Sequence, residues 1–211
     1  MKKESQVIFD KSVIEFVTVA AEFCAFLERA ESMKRSTFVD TTLKILPLLY
    51  LKASMLPKCE MIGDESPETY VTEEIYEVLR INLASILAEK DDYLEVFLPD
   101  MAYSDEPIKK NISEDLADIY QDIKDFIFVF QLGLNETMND SLAICQENFG
   151  LLWGQKLVNT MRALHDVKYS PKARGEDEEE EEYEPENNED CHCEDDDCHC
   201  HDHGCHCHDD E

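Results

Sequence analysis

Three seven-residue repeats close the sequence and hold most of its chemistry. Cys191–Asp197 reads CHCEDDD, Cys198–Gly204 reads CHCHDHG and Cys205–Glu211 reads CHCHDDE. In a Cys-x-Cys triplet on an extended chain the two thiolates lie on one side and can grip one ion, while the imidazole between them projects to the other side. The candidate ligands are Cys191, His192, Cys193, Cys198, His199, Cys200, His201, His203, Cys205, His206, Cys207 and His208, six thiolates and six imidazoles. At four ligands per ion they suffice for about two or three ions. The first repeat has a single histidine, so ligands are expected to cross between repeats. Thiolate selects Zn²⁺ and Cu(I), and imidazole suits Zn²⁺, Ni²⁺ and Cu²⁺, so zinc, nickel and copper all stay open. A seven-residue period also suits a coiled coil, but no repeat position is a large aliphatic residue, and Cys, His and Asp are weak helix formers.

These repeats belong to a chain with two unlike parts. Of 211 residues, 49 are acidic and 19 basic, a net charge of −30 that disfavours nucleic acid and anionic membrane surfaces as partners. Nineteen of the acids and none of the Lys or Arg lie in residues 176–211, together with six of the nine Cys and six of the seven His. The seven consecutive acids Glu176–Glu182 repel one another and bury nothing, which predicts a disordered acidic linker over 171–190 before the repeats at 191–211. Residues 1–170, by contrast, carry the apolar content of a folded domain.

The spacing of apolar residues there is helical. Val13, Phe16, Val17, Ala20, Phe23, Cys24 and Leu27 predict a first helix, capped by Asp10 or Ser12. Phe38–Leu56 predicts a second, which Pro47 must kink or restart. A loop over Lys58–Tyr70 leads to a third, with Ile75, Val78, Leu79, Asn82, Leu83, Ile86 and Leu87 on its face and Glu73 and Glu74 in its first turn, and a short helix is expected over Tyr93–Leu98. Ser113 is the expected cap of a fourth helix with Leu116, Ile119, Tyr120, Ile123, Ile127 and Phe130 inward. Met138, Leu142, Cys145, Phe149, Leu152, Trp153, Leu157, Met161 and Leu164 predict the longest helix, in which Gly150 and Gly154 should pack against a neighbouring helix. With no convincing period-two segment, the fold class is all-α: a single bundle of five or six helices followed by a disordered acidic tail.

The strings DLADIYQDIK from Asp115 to Lys124, Trp153-Gly154-Gln155-Lys156 and Arg162-Ala163-Leu164-His165 resemble a bacterial all-helical family known as domain of unknown function 5063. Phe16–Leu27 and Leu46-Pro47-Leu48-Leu49-Tyr50 are similar to that family's opening, so the resemblance spans residues 10–167. It implies a helical fold and no activity. Members often carry histidine where this chain has Lys156, so neither a metal ligand nor a general base is expected there. The repeats are similar in style to the Cys- and His-rich tails of bacterial nickel chaperones and to metallothionein Cys-x-Cys strings.

Within 1–170 no catalytic constellation assembles in the sequence. Asp115, Asp118, Asp122 and Asp125 form a carboxylate stripe on the fourth helix that could hold Mg²⁺ for a hydrolase; the bland alternative is a solvated acidic face. Glu74 with Glu77 and Glu89 with Asp92 echo helical pyrophosphohydrolases, but on one continuous helix they would stand about 22 Å apart. No Glu-x-x-His pair exists for a di-iron centre, and His165 is expected to face the end of its helix rather than a substrate. The core therefore reads as an interaction module for an unknown protein partner, with metal ions as partners of the tail; the alternatives are the Mg²⁺-dependent hydrolase and a non-catalytic scaffold with a functionally inert tail. The residues after Met1 lack the apolar run of a secretion signal, and the longest apolar stretch, Phe126–Leu134, is far short of the ~20 residues that span a bilayer, so the expected location is cytoplasmic with no membrane contact. Cys24, Cys59 and Cys145 stand singly and are expected to be reduced.

Overall fold

A computed structural model describes residues 6–95 and 108–170. The predicted linker and the repeats lie outside the described residues, as does the end of the short helix expected over Tyr93–Leu98.

The described chain is all-α, with one short strand pair. α1 spans Lys11–Glu28, and of the two expected caps it is Asp10 that serves, Oδ1 accepting from the Ser12 amide at 2.8 Å. α2 spans Arg35–Ser54 and runs through Pro47, which sits on the solvent side where its missing donor leaves no buried carbonyl to satisfy. α3 spans Glu73–Leu87, with the Thr72 hydroxyl capping Ile75 N–H at 3.3 Å. It stops because Ala88 takes φ +48°, a left-handed conformation rare for a residue with a Cβ.

Beyond that break the predicted short helix is replaced by a strand. β1 (Asp92–Leu94) pairs antiparallel with β2 (Lys109–Asn111), Tyr93 opposite Lys110. Cross-strand bonds hold the pair: Asp92 accepts from Lys109 Nζ at 2.9 Å and from Asn111 Nδ2 at 2.8 Å.

α4 spans Ile112–Gln131, one residue ahead of its expected cap. Ser113 is buried inside the first turn, and both its amide and its hydroxyl donate to the Asp91 carboxylate at 2.7 Å, so the helix is capped from another segment. α5 (Asn135–Asn148), a wide π-turn (Phe149–Trp153) and α6 (Gly154–Tyr169) form one continuous helical run, the longest in the described chain, though not the uniform α-helix expected. Gly150 and Gly154 do not pack against a neighbouring helix. Nothing lies within 4 Å of a Cβ placed at Gly150, whereas one at Gly154 would stand 2.3 Å from the Phe149 carbonyl oxygen of its own helix. The Gly154 amide donates to that same oxygen, so glycine is what lets the π-turn close.

α4 is the axis of the bundle, packed against α1, α3, α5 and α6, while α2 joins α1 to α6. Its inward residues Leu116, Ile119 and Ile123 meet Phe16, Phe23, Leu83, Leu142, Trp153, Leu157 and Leu164 in one buried cluster. Phe16 and Phe126 stack with centroids 5.5 Å apart, and Phe126 continues to Phe130 at 5.4 Å. No described helix is long and apolar enough to cross a membrane.

Candidate functional site: an acid-lined cavity beside the central helix

The four stripe aspartates share one side of α4, as their spacing required, but that side is not a solvated face. Asp115 is 3% exposed and the other three are partly buried, because neighbouring segments pack over them. Tyr93 of β1 donates its hydroxyl to Asp115 Oδ2. Tyr76 of α3 donates to Asp118 Oδ1 at 2.8 Å, and Lys156 of α6 bonds Asp118 Oδ2. Asn148 of α5 donates to Asp122 Oδ1 at 2.5 Å. Asp125 Oδ1 accepts from the Tyr70 and Val71 amides at 2.7 and 2.8 Å, tying down the end of the loop before α3.

Electrostatics follow from this packing. Burial raises the pKa of Asp115, Asp122 and Asp125 above the ordinary carboxylate value, with the opposing hydrogen bonds of Tyr93, Asn148 and the Val71 and Tyr70 amides only partly offsetting it. Burial works against the Lys156 charge, yet its bond to Asp118 and the fields of Asp115 and Glu114 leave its pKa raised. Tyr76 and Tyr93 are raised by burial and by the carboxylates they serve.

A cavity of about 430 Å³ opens where α4, the loop 57–71 and the α5–α6 run meet. Asp118, Gln121, Asp122 and Asp125 form one wall, with Lys156 and Asn148 beside them; Phe126, Val129, Ile144 and Leu152 supply apolar surface. The loop wall is stitched to α5. Asp140 accepts from the Ile62 amide (2.7 Å) and the Gly63 amide (2.8 Å), Asn139 Nδ2 donates to the Glu60 carbonyl at 2.8 Å, and Gln146 bridges the Cys59 amide at 3.1 Å and the Pro57 carbonyl at 3.1 Å. This polar set on α5 was not singled out from the sequence. Its signal was present: Asn139 and Asp140 fall between Met138 and Leu142 on the inward side, where an unpartnered polar residue would be costly.

The other sequence candidates are dispersed. Glu77 pairs with Arg80 at 2.7 Å, Glu89 with Arg35 and Asp92 with Lys109, so the two acidic pairs face different partners and do not converge. His165 is exposed, its ring 4.6 Å from Tyr169 and away from the cavity lining. Among the described residues no group of three or more His, Cys, Asp or Glu is arranged to hold a metal ion. Cys145 lines the cavity, but full burial pushes its thiol well above the ordinary range, and burial pushes Cys24 up to about 12; neither supplies a thiolate. Lys156, kept protonated, is no amine nucleophile. The cavity is equipped to recognise charge and apolar surface, with no activated nucleophile.

An all-α domain built on one central helix, with an acid-lined cavity on its flank, is the class these features define. The chain belongs to the family described as Domain of unknown function (DUF5063), whose pattern matches residues 7–170. A crystal structure of protein BF1032 from Bacteroides fragilis is similar to it at 92% identity, covering 80% of this chain and 99% of that one with a TM-score of 0.73. No curated protein matches the chain.

Proposed function

We propose that this is a two-part protein: a helical binding domain over residues 1–170, joined through 171–190 to a segment over 191–211 that takes up soft or borderline metal ions for storage, buffering or hand-over. The observation that carries the reading is the threefold Cys-His-Cys repeat, which places six thiols and six imidazoles in eighteen residues from Cys191 to His208. Zn²⁺ is the first choice, since both donor types suit it, with Ni²⁺ and Cu(I) as the competitors to be measured against it. The binding role of the core is supported by a cavity that offers recognition and no nucleophile. The hydrolase alternative would need a third stripe carboxylate to join Asp122 and Asp125 on one Mg²⁺, with Asp118 leaving Tyr76 or Lys156, or Asp115 leaving Tyr93.

Native mass spectrometry of the reduced protein, with and without residues 171–211, tests the tail. The full chain is expected to take up two or three Zn²⁺ with release of protons, and the shortened one none. Thiols must ionise and imidazoles be neutral to bind, so uptake is expected to fall steeply below about pH 6. Equal uptake by both forms would place the metal elsewhere and overturn the proposal.

A further inference from the structure

The cavity beside α4 has two unlike walls and an unbalanced charge. Lys156 is taken up by Asp118, and among the described residues no ion pair reaches Asp122 or Asp125. Each of these two uses a single oxygen: Asp122 Oδ1 takes Asn148, and Asp125 Oδ1 takes the two loop amides, while neither Oδ2 carries a hydrogen bond. Three residues apart on one helix, the two side chains leave the backbone from Cβ atoms about 5–6 Å from one another and line the same cavity, a spacing that one cationic head with several donors can bridge. Beside them Phe126, Val129, Ile144 and Leu152 offer no donor or acceptor side chain, only contact for hydrocarbon. Glu68 adds a further acid on the exposed loop side of the lining.

An occupant matched to all of this is positive at one end and aliphatic along its length. A bare divalent cation fits poorly, because it needs oxygens converging on one point and among the described residues no three acidic, His or Cys side chains are arranged to hold one. Anions and nucleotides would meet four carboxylates that repel them, Glu68, Asp118, Asp122 and Asp125, and a lysine whose charge is already held. A volume of about 430 Å³ lies within the range of small-molecule sites. We propose that this cavity binds a small aliphatic amine, its ammonium group held between Asp122 and Asp125 and its carbon chain laid along Phe126, Val129 and Leu152. This deepens the reading of the core as a binding domain and is independent of metal uptake by the repeats.

Cadaverine is a suitable probe, with pentylamine keeping one charge and pentanol keeping the chain alone. Trp153, the sole tryptophan, is fully buried and its Nε1 donates to the carbonyl of the cavity-lining Cys145 at 3.1 Å, so its fluorescence reports on this site. Titrations use the full chain, in which any amine held by the acidic C-terminal residues is common to all variants. Cadaverine and pentylamine are expected to shift the emission saturably, and pentanol at equal concentration is not. Asp122→Asn keeps the shape and the Asn148 bond and should weaken amine binding about tenfold or more. Gln121→Lys, at an exposed position of the lining, puts a competing cation at the site and should weaken it at least several-fold. Equal binding of pentanol, unchanged affinity in both variants, or no tryptophan response at millimolar amine would each overturn the proposal. So would Mg²⁺ binding that Asp122→Asn abolishes, which would favour the hydrolase. Loss of metal uptake by the repeats would leave it standing.

Discussion

Asp140 and Asp122 are the same residue type on adjacent helices, one bonded to the loop 57–71 and the other lining the cavity that this loop walls, yet their roles are opposite. Asp140 fills both oxygens, accepting from the Ile62 and Gly63 amides and, at 3.0 Å, from Asn139. Asp122 is bonded through Oδ1 alone, and burial raises its pKa. A carboxylate saturated by backbone donors fixes the path of a chain; one with a spare oxygen on a cavity keeps its charge available. Residue type does not separate the two roles, but a donor count for each oxygen does.

The contrast can be broken by removing the saturated member. Asp140→Ala leaves the Ile62 and Gly63 amides without their acceptor and frees the loop that walls the cavity, at a cost of about 2–3 kcal/mol in a urea unfolding series. A cost below about half of that would mean the loop is held by Asn139 and Gln146 instead. Gly154→Ala comes next. Its methyl group would collide with the Phe149 carbonyl oxygen, so a loss of about 1–3 kcal/mol is expected, with a change in Trp153 emission as the π-turn rearranges. Unaltered emission and stability would show that the turn can widen freely.

The smallest effect carries the opposite sign. Because the folded state holds the Asp122 proton more tightly than the unfolded one, the charge of Asp122 costs stability once pH rises above its unfolded value near 3.8, and the cost is complete above its raised folded value. Asp122→Asn removes that cost. The variant should gain on the wild type in thermal midpoint as pH climbs from about 4 through the raised pKa, and be indistinguishable from it below. A variant less stable than wild type at neutral pH would put Asp122 in the same class as Asp140.

Much of this fold was legible because helical periodicity is local. Val13 to Leu27 and Leu116 to Phe130 each mark their buried face with residues three and four apart, and both faces are buried as read apart from a half-buried Val17, whereas Val78 and Leu152, read onto such faces, are exposed because they flank the buried stripe. The misread boundaries depend on distant chain. Ser113 has the character of a cap, yet Asp91 does the capping; Tyr93 has no helical conflict of its own, yet β2 draws it into a strand and its hydroxyl onto Asp115. The site was half legible for the same reason. Helix geometry put Asp115, Asp118, Asp122 and Asp125 on one side, but their burial comes from Tyr76, Tyr93, Asn148 and Lys156, residues on four other segments that no spacing rule connects.

The π-turn leaves an imprint on the arithmetic of the last two helices. Their inward residues run Met138, Leu142, Cys145, Phe149, Trp153, Leu157, Thr160 and Leu164, with three successive steps of four through the turn. At about 100° per residue each step of four overshoots a full circle by about 40°, and each step of three falls short by about 60°, so the run accumulates about 80°, close to one residue's worth of rotation. The wide turn absorbs this surplus, acting as a one-residue vernier between two otherwise regular helices. Deleting Gly150 would make the helix uniform and at the same stroke wheel everything beyond it by about 100°, carrying Lys156 away from Asp118 and Leu157 out of the core. The extra residue is therefore the phase setting that lets one helix serve the loop at one end and the acidic stripe at the other.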